Sequence, residues 1–312
     1  MKKSLIISFL GILSVSILTG FTLSRSLQVM SIRIHAKDLP DEGITILLPS
    51  DPSFESRFTE QVRGESATVK DSIRPFSIFL ENKSQHTVVG YMIQWCFVGD
   101  DGKNNCFRRA FTASRALMEG EDLSEEVEAR SGKIRPNADL FVSLVSPEGG
   151  GPFRVRITQD EAEKVKQGGT LDNNEILRRS SLQLAQYTDL TVSIDGAFFD
   201  DGTFVGDDES GFFAQVKAEV DARRDLLNEL MAESKKGDEA KEQLIKHIEI
   251  IAAARVPALT SKSLPQDYYN FYRSRNAKEF LSSRKYLGEE KAIASAIEPT
   301  KKAWRVLVKK HQ

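Results

Sequence analysis

The part of the chain richest in side chains that can do chemistry is IDGAFFDDGTFVGDDE, residues 194–209, where six of sixteen residues are acidic. Its Asp-Asp-Gly segment, residues 200–202, predicts a three-residue hairpin loop, because glycine supplies the positive φ that such a loop needs. Counting outward from this loop sets Asp195 opposite Asp207. Opposed carboxylates repel each other unless the strands separate first, one carboxylate is protonated, or a cation lies between them.

Asp195 and Asp207 are therefore the candidate metal ligands, and calcium is the ion that suits a hard oxygen site of this kind. Asp208 and Glu209 can supply further oxygens from the start of the next helix, where Asp208 is a candidate cap and Glu209 is expected in the first turn. The spacing does not match an EF-hand loop. A hairpin with a polar turn and an acidic helix start explains the same residues without a metal. This second interpretation is favoured, and no other cofactor is predicted.

The two cysteines, Cys96 and Cys106, enclose a second Asp-Asp-Gly segment in CFVGDDGKNNC. The same hairpin pairing, counted outward from residues 100–102, sets the two cysteines directly opposite each other. Directly opposed strand residues lie at a distance that a disulfide can span, and such bonds persist in exported proteins. We therefore predict a Cys96–Cys106 disulfide, with two free thiols as the alternative.

Other catalytic patterns are missing from the sequence. The histidines stand apart from one another and from the cysteines, which argues against a zinc site; they are His35, His86, His247 and His311. There is no G-x-S-x-G elbow, and GDDGK is too short for a phosphate-binding loop. The formal net charge of −2 gives no field that attracts nucleic acid. The sequence thus favours a protein that is not an enzyme, although a triad assembled from distant residues stays open.

An apolar run of nineteen residues, LIISFLGILSVSILTGFTL at 5–23, follows Lys2 and Lys3. As a helix it would reach about 28 Å, close to the hydrocarbon thickness of a bilayer. Positive charge ahead of the run predicts that the N-terminus stays in the cytoplasm and the rest is exported. No A-x-A cleavage site follows, so an uncleaved membrane anchor and a cleaved signal peptide, residues 1–25, both stay open. Either one places the chain from about Ser26 outside the cytoplasmic membrane.

Residues 27–206 are predicted to be mostly β-strands. The segment TVVGYMIQWCFV, residues 87–98, alternates so that five apolar side chains share one face; they are Val89, Tyr91, Ile93, Trp95 and Phe97. Short strands separated by turn-rich loops favour an immunoglobulin-like β-sandwich with Trp95 in its core. A short helix is expected at 158–169, with Thr158 as its cap.

The hydrophobic pattern changes to a helical period after Gly206. Residues 208–312 are predicted to form an α-helical region, in which a hairpin of two helices joined at KKGD, residues 235–238, is followed by at least two shorter helices. The predicted fold class is thus α+β. A β-sandwich at 27–206 is followed by the helices and preceded by the transmembrane or signal helix.

The C-terminal part is basic, since residues 260–312 contain twelve Lys and Arg but five Asp and Glu. Residues 267–288 mix four tyrosines with five of these basic side chains, and residues 301–310 place Trp304 and Leu307 among lysines. Basic amphipathic helices can bind an envelope protein, anionic lipid or a cell-wall polymer. The favoured alternative is that the aromatic residues pack on the helical hairpin while the lysines face water.

Two segments, FSIFLENKSQHTVVGYMIQWCF (76–97) and VSIDGAFFDDGTFVGDDESGFF (192–213), resemble those of a group of uncharacterised exported bacterial proteins. The resemblance implies an N-terminal hydrophobic segment, an immunoglobulin-like sandwich and a helical C-terminus, and it implies no activity or site residue. We expect an exported or membrane-anchored envelope protein that acts as a binding or scaffolding module. The alternatives are an envelope hydrolase whose active site no sequence motif marks, and a calcium-stabilised structural protein.

Overall fold

The computed structural model describes residues 33–99, 102–113, 116–117, 132–145, 158–172, 175–176, 178–179, 183, 187–233, 235–260, 263–297 and 305–310. The predicted membrane or signal segment at the N-terminus lies outside these described residues. None of the helices that are described combines the length and the apolar character needed to cross a membrane.

The strands form two sheets. In chain order they are β1 (Arg33–Lys37), β2 (Ile44–Leu47), β3 (Ser77–Asn82), β4 (Val88–Gly99), β5 (Asn104–Thr112), β6 (Ala138–Ser143), β7 (Tyr187–Phe199), β8 (Thr203–Val205) and β9 (Val308–Lys309). The larger sheet has the order β5-β4-β7-β8-β9, and β1 runs parallel to the first half of β7. The smaller sheet is antiparallel and has the order β2-β3-β6.

Most of the helical residues follow the sheets, so the predicted α+β order is confirmed. The helices are α1 (Phe54–Gln61), α2 (Ala67–Ile73), α3 (Gln159–Lys166), α4 (Phe212–Glu233), α5 (Asp238–Ala253), α6 (Pro265–Leu287) and α7 (Glu289–Ile297). The predicted cap of α3 is confirmed, because Thr158 and Glu161 form a reciprocal capping box. The predicted break between α4 and α5 is also confirmed, with Gly237 directly before α5.

Helices α1 and α2 interrupt the region that was predicted to be mostly strands. In α1, Phe54 and Phe58 are buried while Ser56 between them is exposed, which is helical spacing, since a strand would place all three on one face. In α2, the Ser66 hydroxyl accepts a hydrogen bond from the N–H of Val69 and caps the helix. The prediction missed both helices because each is only about two turns long and has few apolar residues.

One apolar core joins the two sheets and the first two helices. Trp95 and Phe97 of β4 and Leu80 of β3 are fully buried in it. The ring centroid of Phe54 on α1 lies 5.5 Å from that of Phe79 on β3, so α1 covers the smaller sheet. Large aromatic side chains dominate the burial energy of a core, and this cluster therefore holds the β-region together as one unit.

A register shift in β4 corrects the predicted face of that strand. Between Val88 and Gly90 the pairing with β7 slips by one residue, which turns the intervening side chain to the opposite face. Val89 consequently packs with Met92 and Phe198 in a second apolar cluster. The other four residues of the predicted apolar face lie together in the main core.

Helix α4 connects the β-region to the helical region. Its first half contributes Phe212, Val216 and Val220 to the second cluster, against the larger sheet. Its second half contributes Leu227 and Leu230 to a third cluster, which it shares with α5, α6 and α7. A single helix of 22 residues thus takes part in both cores.

Candidate functional site

Asp195 lies in β7 and is buried, with 6% of its surface exposed. Its carboxylate accepts hydrogen bonds from the backbone N–H groups of Glu209, at 2.8 Å, and Ser210, at 3.0 Å. The Ser210 hydroxyl donates a third hydrogen bond to the same carboxylate. Buried carboxylates need such donors in place of water, so Asp195 is held by the turn that precedes α4.

Asp207, the second predicted metal ligand, points to a different partner. Its carboxylate lies 2.6 Å from Nζ of Lys37 on β1. The hydrogen bond and the negative charge of Asp207 raise the pKa of Lys37 above its usual value. Both side chains are exposed to solvent, and an ion pair of this kind contributes little to stability.

Asp208 is enclosed, with a side chain that is 8% exposed and a backbone φ of 59°. Its Oδ1 accepts a hydrogen bond from the N–H of Phe213 in the first turn of α4, at 2.9 Å, and its Oδ2 lies 2.7 Å from Nζ of Lys309. Asp208 therefore bonds to the first turn of α4, but it does not stand directly before the helix as predicted. The helix begins later than predicted, at Phe212, so Glu209 lies in the preceding turn and not in the first turn of the helix.

The predicted opposition of Asp195 and Asp207 does not form as a strand pair. The hairpin has the predicted register at Ala197 and Val205 but its ladder ends there, and the N–H of Asp208 bonds to the carbonyl oxygen of Asp195 at 2.9 Å. The ladder thus ends before the two aspartates oppose each other, and their carboxylates have different partners. Within the described ranges, no group of three or more His, Cys, Asp or Glu is placed to hold a metal ion. Calcium binding stays a prediction.

The C-terminal strand β9 lies along the same hairpin. The N–H groups of Val308 and Lys310 donate to the carbonyl oxygens of Gly202, at 3.1 Å, and Phe204, at 3.0 Å. Gly202 has a φ of 91°, and a Cβ built there would lie 2.7 Å from the carbonyl oxygen of Val306. Glycine is needed here both for the loop conformation and for the close passage of the C-terminal segment.

Asp195, Asp207 and Asp208 together are called the acidic junction below, because they join segments that are far apart in sequence. Lys37 lies 170 positions before Asp207, and Lys309 lies 101 positions after Asp208. Each carboxylate meets backbone N–H groups, a lysine or both. The three aspartates thus connect β1, β7, α4 and β9 through hydrogen bonds and ion pairs. The sequence gives no signal that pairs these lysines with the aspartates at such separations.

Cys96 and Cys106 stand in register on β4 and β5, and their sulfur atoms are 2.06 Å apart. The predicted disulfide pairing is therefore confirmed. The flanking pair, Val98 opposite Asn104, follows the same register.

A groove between α4, α6 and α7 is the candidate binding site. Leu227 and Leu230 of α4 and Phe280 of α6 form an apolar floor, and Ser283 lies at the polar rim. The groove encloses about 160 Å³. Asn276 also lines it, and its Nδ2 is buried with no hydrogen-bond acceptor among the described residues. An apolar floor beside an unused donor can bind a group that carries both an apolar part and a carbonyl oxygen.

The basic residues of α6 are largely paired within the helical region. Arg273 meets Glu229 of α4, Arg275 meets Glu279 at 3.0 Å, and Arg284 meets Glu289 at 2.9 Å. These arginines are neutralised by carboxylates of the protein itself, so their charge is less available to an external anion. The segment at 301–304, which includes Trp304, lies outside the described residues.

The aromatic residues of α6 divide between packing and exposure. Tyr272 and Phe280 are buried, while Tyr286 is 79% exposed. The hydroxyl of Tyr269 donates to Oδ2 of Asp225 on α4 at 2.7 Å. Burial, followed by this hydrogen bond, raises the pKa of Tyr269 to about 12. Tyr269 and Tyr272 thus pack within the helical region, as the favoured alternative for this segment predicted, whereas Tyr286 is exposed.

Among the described histidines, His35 and His86 have a carboxylate neighbour. His35 lies 3.8 Å from Asp189, and His86 lies 3.6 Å from Asp200. Both histidine side chains are more than half exposed, and neither lines the groove. Surface pairs of this kind do not form the enclosed polar cleft that a hydrolytic triad needs.

No protein-family model, no curated protein and no solved structure matches the chain. The sequence gives no signal for the groove itself, although Leu227 and Leu230 stand at helical spacing. That spacing predicts burial, but the opening beside them depends on how α6 and α7 pack, which the helical period does not specify.

Proposed function

We propose that the chain is an extracytoplasmic binding module, held at or released from the cytoplasmic membrane of a bacterium. In this proposal residues 5–23 form the membrane or signal helix, and the region from Arg33 onward acts outside the cytoplasm. The pairing of Cys96 with Cys106 supports this location, because disulfides persist in oxidising compartments.

The β-region is proposed to be an immunoglobulin-like sandwich. Strands β2-β3-β6 form one sheet and β5-β4-β7-β8 belong to the other, and the two sheets share a core. The connections from β3 to β4, from β5 to β6 and from β6 to β7 each pass from one sheet to the other. This alternation supports the proposal, since Greek-key sandwiches of the immunoglobulin type are connected in the same way.

The volume of the groove carries the proposal of a binding module. Sites for cofactors and drug-sized ligands usually enclose roughly 300–1,000 Å³. The groove encloses about 160 Å³, which is close to the size of cavities of about 150 Å³ that hold one benzene ring. It therefore suits one apolar side chain of a protein partner better than a whole metabolite.

The proposed occupant is an aromatic or leucine side chain on an exposed segment of a partner protein. This side chain rests on Leu227 and Phe280, and a backbone carbonyl of the same segment accepts the hydrogen bond that Asn276 Nδ2 offers. A single buried anchor surrounded by polar contacts is the common form of an energetically dominant interface residue.

Site-specific photo-crosslinking in intact cells that produce the full chain tests the groove. A benzophenone amino acid at Ser283, on the rim, is expected to give a discrete cross-linked protein. The same amino acid at Ser282, exposed on α6 but outside the groove, is the matched control. Ser295→Trp, which fills the opening, is expected to remove the product from position 283. Equal products from both positions, or a product that survives Ser295→Trp, would contradict the proposal.

A further inference from the structure

The outer face of the β4–β5 hairpin carries a small cluster around the disulfide. Gln94 lies opposite Arg108, and the next pair on the same face is Cys96 opposite Cys106. Cys106 is exposed, whereas Cys96 is only partly exposed. The two sulfurs of this bond therefore differ in how easily a reagent reaches them.

A polar chain leads to one of the two sulfurs. Nε2 of Gln94 donates a hydrogen bond to Sγ of Cys96 at 3.0 Å. Nε of Arg108 donates to Oε1 of the same Gln94 at 2.7 Å, which turns the amide so that its N–H faces the sulfur. A donor at Cys96 stabilises negative charge on that sulfur.

The position of β5 in the sheet decides from which side the bond can be attacked. A thiolate breaks a disulfide by attacking one sulfur while the other leaves, in line with the bond. Within the described part of the chain β5 is the outermost strand. A nucleophile that approaches Cys106 in line with the S–S bond therefore comes from outside the sheet. A nucleophile that approaches Cys96 in line with the bond would have to come from the side of Thr191 on the neighbouring strand β7.

We propose that the Cys96–Cys106 disulfide is a site of thiol–disulfide exchange, attacked at Cys106 by an external dithiol. The thiolate of the dithiol forms a bond to Sγ of Cys106. The Cys96–Cys106 bond breaks, and its electron pair stays on Cys96, where the Gln94 amide stabilises the thiolate. Gln94 and Arg108 are positioning residues that favour this direction of cleavage.

The second thiol of the reductant completes the exchange. As a thiolate it attacks the other sulfur of the reductant, which is bonded to Cys106 in the mixed disulfide. That bond breaks and Cys106 leaves as a thiolate, so that the dithiol becomes a cyclic or internal disulfide. Two electrons and two protons pass to the protein, whose cysteines end as thiols. Reduction removes the covalent link between β5 and β4 and leaves the edge strand held by its backbone hydrogen bonds.

The test uses the oxidised full chain and two defined reagents. With glutathione and a rapid acid quench, peptide mapping is expected to find the mixed disulfide on Cys106, with little on Cys96. With dithiothreitol, reduction is expected to proceed in the folded protein, faster than global unfolding measured under the same conditions. A mixed disulfide on Cys96, or reduction only at the rate of unfolding, overturns the proposal.

Substitutions separate the positioning role from a merely structural one. Gln94→Met removes the donor at similar size and is expected to slow reduction by about tenfold, the loss for one hydrogen bond to a charged group. Arg108→Gln is expected to slow it less, and Arg109→Gln, which removes the same charge from the opposite face of β5, is the matched control. The unfolding midpoint of each oxidised variant shows whether it folds. An unchanged rate in folded Gln94→Met contradicts the assigned role.

Discussion

Nζ of Lys309 lies 2.7 Å from Oδ2 of Asp208, and this ion pair joins the last described strand to the turn that begins α4. The same ammonium lies 5.7 Å from the ring centroid of Phe204, so it also makes a cation–π contact. The chain therefore returns at its C-terminal end to the hairpin that carries the acidic junction. The helical region is attached to the β-region at both of its ends.

Lys309→Met is expected to destabilise the protein by about 1–2 kcal/mol. The Asp208 carboxylate is nearly enclosed, and among the described residues losing the lysine leaves it with the N–H of Phe213 as its hydrogen-bond donor. The free energy of unfolding, from urea titrations of the full chain, measures this change. Lys278→Met, at an exposed lysine of α6, is the control and should change the value by less than about 0.5 kcal/mol. Equal effects of the two substitutions would show that the ion pair is not structural.

Gly202→Ala is expected to cost more stability than Gly102→Ala. Both glycines end an Asp-Asp-Gly segment and have a positive φ, 91° and 72°, so both substitutions carry the strain of about 1–2 kcal/mol for that conformation. Only at Gly202 does the new Cβ meet the carbonyl oxygen of Val306. Moving the C-terminal segment aside adds about 1–3 kcal/mol.

Hydrogen exchange gives the second measurement for this glycine pair. In Gly202→Ala the amides of Val308 and Lys310 are expected to lose protection, because the C-terminal segment is moved away from their acceptors on the hairpin. In Gly102→Ala the same amides should keep the protection of the unmodified protein. Equal loss of protection and equal unfolding free energies would mean that the C-terminal segment does not depend on this contact.

Asp195→Asn is expected to lower the unfolding free energy by about 2–3 kcal/mol, since an amide cannot accept all three hydrogen bonds and its own N–H₂ meets a donor. Asp207→Asn should cost less than about 1 kcal/mol, because its pair with Lys37 is exposed. The two residues lie in the same acidic stretch, so the difference between their effects on stability comes from burial: Asp195 is buried and Asp207 is exposed.

Thermal unfolding with calcium and with chelator tests the metal hypothesis on the same variants. The carboxylates of the acidic junction already have N–H or lysine partners, so we expect millimolar calcium to leave the midpoint unchanged. A calcium-dependent rise that disappears when Asp195→Asn and Asp207→Asn are combined would instead establish a metal site.

The alkaline stability of the helical region is expected to depend on Tyr269. Its pKa is raised to about 12, mainly by burial and then by Asp225, while an unfolded tyrosine titrates near about 10. A raised pKa in the folded state means that its contribution is complete below about pH 10 and is lost as the pH rises towards about 12.

Urea unfolding at several pH values between about 9 and 12 measures this loss. The unmodified protein should lose unfolding free energy with pH more steeply than Tyr269→Phe, which has no hydroxyl to ionise. Tyr286→Phe, at the tyrosine that is 79% exposed, should behave like the unmodified protein. Parallel pH profiles for all three proteins would disprove the dependence on Tyr269.

The sequence by itself determined the local features that depend on neighbours within one element. The Cys96–Cys106 register followed from a hairpin loop of known length, because pairing in a hairpin is set by its turn. The cap at Thr158 and the helix break before Asp238 followed from side chains within a few positions of the helix ends. The order of strands and then helices followed from the change of hydrophobic period after Gly206.

Tertiary structure decided where the acidic side chains point and where a groove opens. The partners of Asp207 and Asp208 are Lys37 and Lys309, which no local period connects to residues 207 and 208. The slip at Val88 reversed the face of Val89, since a one-residue bulge is invisible to strict alternation. The groove floor at Leu227 and Leu230 depended on the packing of three helices. Such contacts join distant segments, so their physical cause lies in long-range packing and charge pairing rather than in local propensity.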